Sequence, residues 1–411
     1  MHGAKSMGAK QTRRVIIVGA GFSAPAQLPV QNRIIEKMTE DPQGNFLQGE
    51  LPRESVKFLN AYITVGLFLL NNYGKGDYGT LADTYGNLRE ESSNANDDDD
   101  YYAGIYSLRD KVRVAIKKEK INTDLEDVFT SFDKAMLSKE YLHKYTYGQM
   151  DAIRYSLMRL FIYYFSKCVL NHSFQQEEYL EFVRHVEFRR AASSITIITT
   201  NWDTLIEGYL ERNHIAYNYG FQSPYTSDSL SPHEYDTELL LLKIHGSANW
   251  LRCLHCGAIS IYPDNGAADS LFEDEKQEKC KSCYQQESPS EPSLQPEIVT
   301  PTMVKSLASR LYLNLWGAAS SRIQSATHVI FVGYSLPAAD FDFRYLLQRN
   351  VLPAAKIDVV LYKDDDPRHT DRENLKSLLP EKRYRNAFPK NELSFYYDGF
   401  GKYFEDALGK N

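Results

Sequence analysis

Four cysteines stand in two short pairs, Cys253-x2-Cys256 and Cys280-x2-Cys283, with 23 residues between the pairs. Two such knuckles bring four thiolates together, which is the donor set of a tetrahedral zinc ion. Protein fills all four positions and leaves none for water, so a zinc bound here is structural rather than catalytic. The gap is slightly longer than in a usual ribbon and predicts a loop at Asn265 to Ala268. A second constellation is dispersed along the chain: Gly19-Ala20-Gly21-Phe22-Ser23-Ala24, Thr200-Asn201-Trp202-Asp203, His245-Gly246-Ser247 and Gly333-Tyr334-Ser335-Leu336-Pro337. The first fits G-x-G-x-x-G/A, in which bare backbone lets N–H groups approach a pyrophosphate. A histidine at a strand end can move a proton, and Asn201 and Asp203 can orient polar groups.

Each of these residues also has a plainer use. The glycine turn suits a tight strand-to-helix corner with no ligand. Asp203 can cap the helix that starts at Thr204, and Asn201 can be a turn residue. Ser23 and Ser335 can satisfy turn backbone, and a lone histidine is more often structural than catalytic. What favours chemistry is their common placement. Val15–Val18, Ser194–Thr199, Leu239–Ile244 and His328–Val332 are apolar, β-rich runs that read as buried strands. Every one of the four stretches follows one of them. In an open parallel sheet the ligand lies outside the carboxyl ends of the strands, so the four would share one rim.

Two further strands are expected at Ile357–Tyr362 and Leu393–Tyr397, which makes six. Strands followed by helices predict a doubly wound, Rossmann-like α/β core with a parallel sheet. An ordinary dinucleotide fold is disfavoured, because residues 30–41 look helical. No strand leads into Glu40 or Asp41, the acids about 20 residues past the glycines that would hold a ribose. Residues 31 to 190 instead show helical periodicity, as in SVKFLNAYITVGLFLLNNY, LEDVFTSFDKAMLSKEYL and MDAIRYSLMRLFIYYFSKCVL. Thr123 or Asp124 would cap the helix containing Glu126. The acidic run from Glu90 to Asp100 reads as an exposed loop, and Cys168 as core. Residues 303–323 and FDFRYLLQRN read as helices. The expected organisation is a first core segment at 13–44, an all-α insertion at 45–190 and a second core segment at 191–252. A zinc-ribbon module at 253–295 and the C-terminal part of the core at 296–411 complete it.

The chain has 411 residues, 43% of them hydrophobic and 25% charged, with a formal net charge of −7. That balance implies no general nucleic-acid-binding face. The longest apolar stretch, Leu157 to Leu170, contains Arg159 and Lys167 and is too short to span a bilayer. The N-terminus carries no secretory signature, so a reducing cytoplasmic setting is expected, with the cysteines free of disulfides.

In their order along the chain, these motifs resemble the sirtuin family. Gly19-Ala20-Gly21-x-Ser23, Thr200-Asn201-x-Asp203, His245-Gly246, the paired C-x2-C and Gly333-x-Ser335 carry the resemblance. The TTN-aromatic-D form, Ile244-His245-Gly246-Ser247 and Gly333-Tyr334-Ser335-Leu336-Pro337 are most similar to its sirtuin-like NAD-hydrolase branch, found in bacterial antiviral defence. The helix around Glu126 is similar to one common in that branch. The resemblance covers residues 13–32, 194–260 and 296–362. It implies that Gly19, Ala20, Gly21 and Ser23 hold NAD phosphates, with Thr200 beside them, and that Gly333 and Ser335 line the adenosine side. It further implies that Asn201 orients water or the nicotinamide ribose, Asp203 binds the carboxamide, and His245 is the general base. NAD is then substrate and zinc a structural ion.

Departures separate the chain from deacylating sirtuins. Their G-I-P-x-F-R stretch is Gln27-Leu28-Pro29-Val30-Gln31-Asn32 here, and their Gln-Asn pair is Thr200-Asn201. Their V-x-F-G-E stretch, part of the acyl-peptide channel, is Glu297-Ile298-Val299-Thr300-Pro301. The expectation is an NAD glycohydrolase releasing nicotinamide and ADP-ribose or a cyclic form. Its rivals are an NAD-dependent deacylase or ADP-ribosyltransferase, and a non-catalytic NAD or ADP-ribose sensor. A homo-oligomer or a regulatory protein partner is expected through the tyrosine-rich helical insertion.

Overall fold

A computed structural model describes residues 12–28, 34–35, 38, 56–92, 99–121, 123–192, 195–221, 239–263, 266–272, 280, 283, 294–300, 302, 310–361 and 373–409. Its main sheet has seven strands, all parallel: β1 (Arg14–Val18), β2 (Ile195–Thr199), β3 (Tyr217–Asn218), β4 (Leu239–Lys243), β8 (His328–Val332), β9 (Lys356–Val360) and β10 (Leu393–Tyr396). They lie in the order β10-β9-β8-β1-β2-β4-β3. The six expected strands are all present. The seventh, β3, is two residues long and gives no periodic signal. Strand β1 pairs with β2 on one side and β8 on the other, Val18 standing opposite both Thr199 and Val332. Four apolar residues in a row, Val15 to Val18, suit a strand flanked on both edges and buried on both faces. The chain proceeds from β1 to β2 in one direction and returns at β8 to build in the other. The strand order therefore reverses at β1, and the glycine turn sits at that switch point.

Three antiparallel strands, β5 (Gly246–Cys253), β6 (Ile259–Ile261) and β7 (Leu294–Ile298), form a second sheet in the order β6-β5-β7. The sequence hid β5 because it begins immediately after the turn that ends β4.

The helical stretch contains α1 (Val56–Tyr73), α2 (Gly79–Ser92), α3 (Asp99–Glu119), α4 (Leu125–Ser138), α5 (Tyr147–Leu170) and α6 (Glu177–Ala192). Asp124 caps α4 by accepting from the Glu126 N–H. Thr146 and Gln149 form a capping box on α5. The ends of the acidic run expected as a loop, Glu90–Ser92 and Asp99–Asp100, belong instead to α2 and α3, and residues 93–98 lie outside the described residues. Most of residues 30–41 also lie outside them. Beyond come α7 (Leu205–Arg212), α8 (Gly266–Phe272), α9 (Arg310–Ser325), α10 (Phe341–Asn350), α11 (Glu373–Ala387) and α12 (Gly399–Gly409).

The loop expected at Asn265–Ala268 is corrected by α8. Its Ala267, Ala268, Leu271 and Phe272 are buried, and Phe272 meets Phe58 and Tyr163 at ring-centroid distances of 5.3 and 5.7 Å. An apolar face with helical spacing finds a partner there, and burial outweighs the turn propensity of Asn265-Gly266.

Two hydrophobic cores result. One gathers the main sheet with α6, α7, α9, α10 and α12. The other is shared by the helical block and the small sheet, and it also encloses Cys253, Cys280, Cys283 and Trp202. Trp202 is the notable member, because it lies between Asn201 and Asp203. No helix among the described residues is long and apolar enough to cross a membrane.

Candidate active site

The turn after β1 is a single 3-10 turn, Ala20–Phe22. The Gly19 N–H donates to the Val332 carbonyl (3.0 Å) and the Gly21 N–H to the Gly333 carbonyl (2.9 Å). The ends of β1 and β8 are thereby laced backbone to backbone. Gly333 has φ +61°, and a Cβ on it would lie 2.3 Å from the Phe22 nitrogen and 2.5 Å from the Gly21 carbonyl carbon. Glycine is required here by close backbone approach. Because the N–H groups of Gly19 and Gly21 are engaged this way, these two residues shape the rim rather than offering donors to a phosphate.

Ser23, Asn201 and Asp203 converge above this turn, all buried. The Ser23 hydroxyl donates to Asp203 Oδ2 (2.9 Å). Asn201 Nδ2 donates to the Gly19 carbonyl (3.1 Å) and to Ser23 Oγ (3.0 Å). The Thr200 N–H donates to the Val18 carbonyl (3.1 Å), which carries the β1–β2 ladder into the turn. Asp203 Oδ1 accepts from the Leu205 N–H (3.1 Å), so the capping role is real and coexists with the network. The donor side of the Asn201 amide is spent, whereas no described residue engages its oxygen.

His245 follows β4 by two residues and is 4% exposed. Its Nε2 lies 3.8 Å from Asp340 Oδ1. Asp340 Oδ2 accepts from the Tyr334 hydroxyl (3.1 Å), and burial, reinforced by the Asp340 carboxylate, pushes the Tyr334 phenol well above its ordinary pKa. Tyr334 thus stays a neutral donor that fixes Asp340. The His245 carbonyl accepts from the Val299 N–H (2.8 Å). Gly246 turns the chain at φ +79°, with room for a Cβ closed by the Glu297 carbonyl at 2.2 Å. Ser335 stands apart: it is exposed, and its carbonyl accepts from Arg383 Nη1 (3.2 Å). The β8 turn meets the cluster through Gly333 and Tyr334 instead.

Several residues in this site gave no sequence signal. Lys243, the last residue of β4, is fully buried. Its Nζ donates to the Asp203 carbonyl and, at 2.7 Å, to Glu207 Oε1. Glu207 Oε1 also accepts from the Tyr219 hydroxyl (3.1 Å). Burial and the Glu207 carboxylate hold that phenol well above its usual pKa, so it remains a donor. Glu207 stands one helical turn after Asp203, and that spacing was the available hint. Asp340 could have been noticed only as an acid ahead of α10.

Removing one member of a buried ion pair leaves the other charge uncompensated, at a cost of about 3–5 kcal/mol. Lys243→Met should destabilise the chain by that order in urea unfolding, and adding Glu207→Leu should recover a large part of it. A single variant as stable as the parent would contradict the pairing.

The four cysteines meet as expected. Their Sγ atoms all lie within 4.8 Å of one another, with Cys253–Cys283 at 3.8 Å and Cys256–Cys280 at 3.5 Å. Zn–S bonds of about 2.3 Å in a tetrahedron place sulfurs about 3.8 Å apart, so the donors fit zinc. None of the four is joined in a disulfide. Cys168 remains outside both sites, where burial pushes its thiol up to about 11 and removes it as a nucleophile.

Comparison with known proteins adds the following. No curated protein matches the chain. Among solved structures, the chain is similar to a sirtuin described in a study of the structural basis of sirtuin substrate affinity, at 12% identity over 98% of this chain and 95% of that one, with a TM-score of 0.38. It is also similar to a Sir2 bound to acetylated peptide, at 11% identity over 98% and 94%, TM-score 0.38. A Sir2–p53 peptide–NAD+ complex aligns at 14% identity over 70% and 98%, TM-score 0.35. Residues 195–377, which carry Asn201, Asp203, His245, Asp340 and the four cysteines, match the family model described as a SIR2-like domain.

Proposed function

We propose that the chain is an NAD glycohydrolase that cleaves the nicotinamide–ribose bond to give nicotinamide and ADP-ribose, and that it acts as an NAD-depleting defence effector. The observation that carries the reading is the placement of Ser23, Asn201, Asp203 and the His245–Asp340 pair at the carboxyl ends of β1, β2, β4 and β8. They surround the point where the strand order reverses. The match of residues 195–377 to a SIR2-like domain supports NAD as the ligand.

Breaking this bond passes through an oxocarbenium-like state. The site must therefore exclude water except for one nucleophile and face the developing positive charge with negative or polar oxygens. Asp203 would accept from the carboxamide and Asn201 would hold water or a ribose hydroxyl through its free amide oxygen. His245 would take the proton as the nucleophile attacks, with Asp340 beside its Nε2 to stabilise the resulting cation. Gly19, Ala20, Gly21 and Thr200 would form the wall against which the phosphates lie, and Gly333 and Ser335 the edge towards adenosine. The zinc would be held by Cys253, Cys256, Cys280 and Cys283 and take no part in the reaction.

A hydrolase needs no acyl oxygen. In a deacylase, the stretch after the cysteines lines a peptide channel. Here the Val299 N–H is taken by His245 and its carbonyl by Trp202 Nε1 (3.1 Å), which favours hydrolysis without a peptide. Mass spectrometry of reactions with NAD alone, and with NAD plus mixed acyl-lysine peptides, tests the choice. Nicotinamide release is expected in both. Release only with peptide, together with O-acyl-ADP-ribose, would establish the deacylase instead.

A further inference from the structure

Asn201 and Asp203 flank a residue that belongs to another part of the molecule. The Trp202 indole is buried against α5, edge-on to Phe161 at 5.0 Å and to Phe165 at 6.5 Å. Its Nε1 donates to the Val299 carbonyl (3.1 Å). The N–H of the same residue donates to the His245 carbonyl (2.8 Å). One residue of the segment after β7 thus ties the Asn-Trp-Asp turn to the histidine turn.

The next residue fixes that tie to the helical block. Thr300 is 3% exposed. Its hydroxyl donates to Asp133 Oδ2 of α4 (3.3 Å) and accepts from Arg154 Nη2 of α5 (3.3 Å). Arg154 Nε closes the triangle on Asp133 Oδ1 (3.0 Å). The guanidinium is further seated by Nη1 against Met158 Sδ (3.2 Å) and by the Phe129 ring, 5.8 Å from its centroid. An ion pair alone would join α4 to α5. A threonine hydroxyl held between its two partners does something more: it sets where the segment 299–300 lies.

We propose that Asp133 and Arg154 are positioning residues for the NAD-cleaving rim. They fix Thr300, and through the main chain of Val299 they fix His245 and Trp202, hence the spacing of Asn201 and Asp203 from the base. The inference rests on the hydrolase reading for its consequence on rate, though not for the coupling itself. Both residues lie outside the matched domain, so the helical block becomes part of the working site rather than a covering. The planar fork of Arg154 bonds Asp133 and Thr300 at once, which a lysine cannot reproduce. A misplacement of about 1 Å at reacting groups can cost on the order of 100-fold in rate.

The test uses the full chain with 5-fluorotryptophan at its three tryptophans, Trp202, Trp250 and Trp316, the Trp202 line being assigned from Trp202→Phe. Thr300→Val, Asp133→Asn and Arg154→Lys are each expected to shift the Trp202 fluorine line and leave the Trp250 and Trp316 lines in place. They should lower kcat for nicotinamide release by about 10-fold to 100-fold, with KM for NAD changed less than about twofold. Thr300→Ser keeps the hydroxyl and should restore both the line and kcat, which a merely structural role would not predict. If Thr300→Val fails to fold, Asp133→Asn against Thr300→Ser decides. An unmoved Trp202 line with unchanged kcat in folded Asp133→Asn overturns the proposal. Absence of nicotinamide release from the parent protein would refute the hydrolase reading alone, and the fluorine line would still decide the coupling.

Discussion

His245→Ala and Asn201→Ala should each lower the rate of nicotinamide release from NAD by about 10²–10⁴-fold, the usual loss when one positioned proton-transfer group is removed. The two variants fail for different reasons. His245 touches Asp340 through Nε2 at 3.8 Å, and its main chain is held separately by Val299. Alanine there removes the base and leaves the turn in place, so thermal unfolding should change little. Asn201 bonds Gly19 and Ser23 through its amide nitrogen. Alanine at that position removes the free oxygen and also the amide donor to Gly19 and Ser23, leaving Ser23 tied to the β2 turn through Asp203 alone, at a cost of about 1–3 kcal/mol for the groups left unpaired. Near-parental nicotinamide release from either folded variant, followed by chromatography, would remove that residue from the site.

Zinc loss should have the largest effect on stability. Structural zinc contributes apparent binding energies of about 10–16 kcal/mol in zinc-finger peptides, more than the net stability of many domains. In this chain Cys253, Cys280 and Cys283 are buried within the core that also holds the helical block and Trp202. Losing the metal removes the ion that would gather these thiols, and it loosens a core that reaches the Asn-Trp-Asp turn. One zinc per chain is expected by elemental analysis. Cys253→Ser should lower metal content and the unfolding midpoint together, with loss of activity. Protein purified without zinc that shows the parental midpoint would refute the assignment.

What the sequence disclosed follows from the kinds of interaction involved. Strands β1, β2, β4, β8, β9 and β10 are apolar runs, and a run is visible without its neighbours. The paired cysteines are visible because metal chemistry fixes their spacing. The rim could be inferred because parallel sheets present ligands at one edge, which brings Asn201, Asp203 and His245 together from 44 or fewer positions apart and joins Ser23 to them from much farther away. Lys243 was hidden as a single charge at the end of LLLLK, since nothing local says that Glu207 and the Asp203 carbonyl await it. Glycines 19 and 21 fit a phosphate-binding turn by sequence, but where their N–H groups go depends on how β8 approaches, and that approach is a tertiary fact. Trp202 was equally opaque. Its neighbours are the residues proposed for the chemistry, while its ring answers to Phe161 and Phe165 in a helix some 40 residues earlier.

The central claim is that water is the nucleophile at the NAD ribose. The most direct measurement is to incubate the pure protein with NAD alone in 18O-labelled water and to weigh the products. The account predicts nicotinamide release and ADP-ribose carrying one heavy oxygen at the ribose carbon that held nicotinamide, both lost in His245→Ala. Nicotinamide formed only when an acylated peptide is added, with an O-acyl-ADP-ribose whose heavy oxygen lies in the acyl group and not at that ribose carbon, would contradict it.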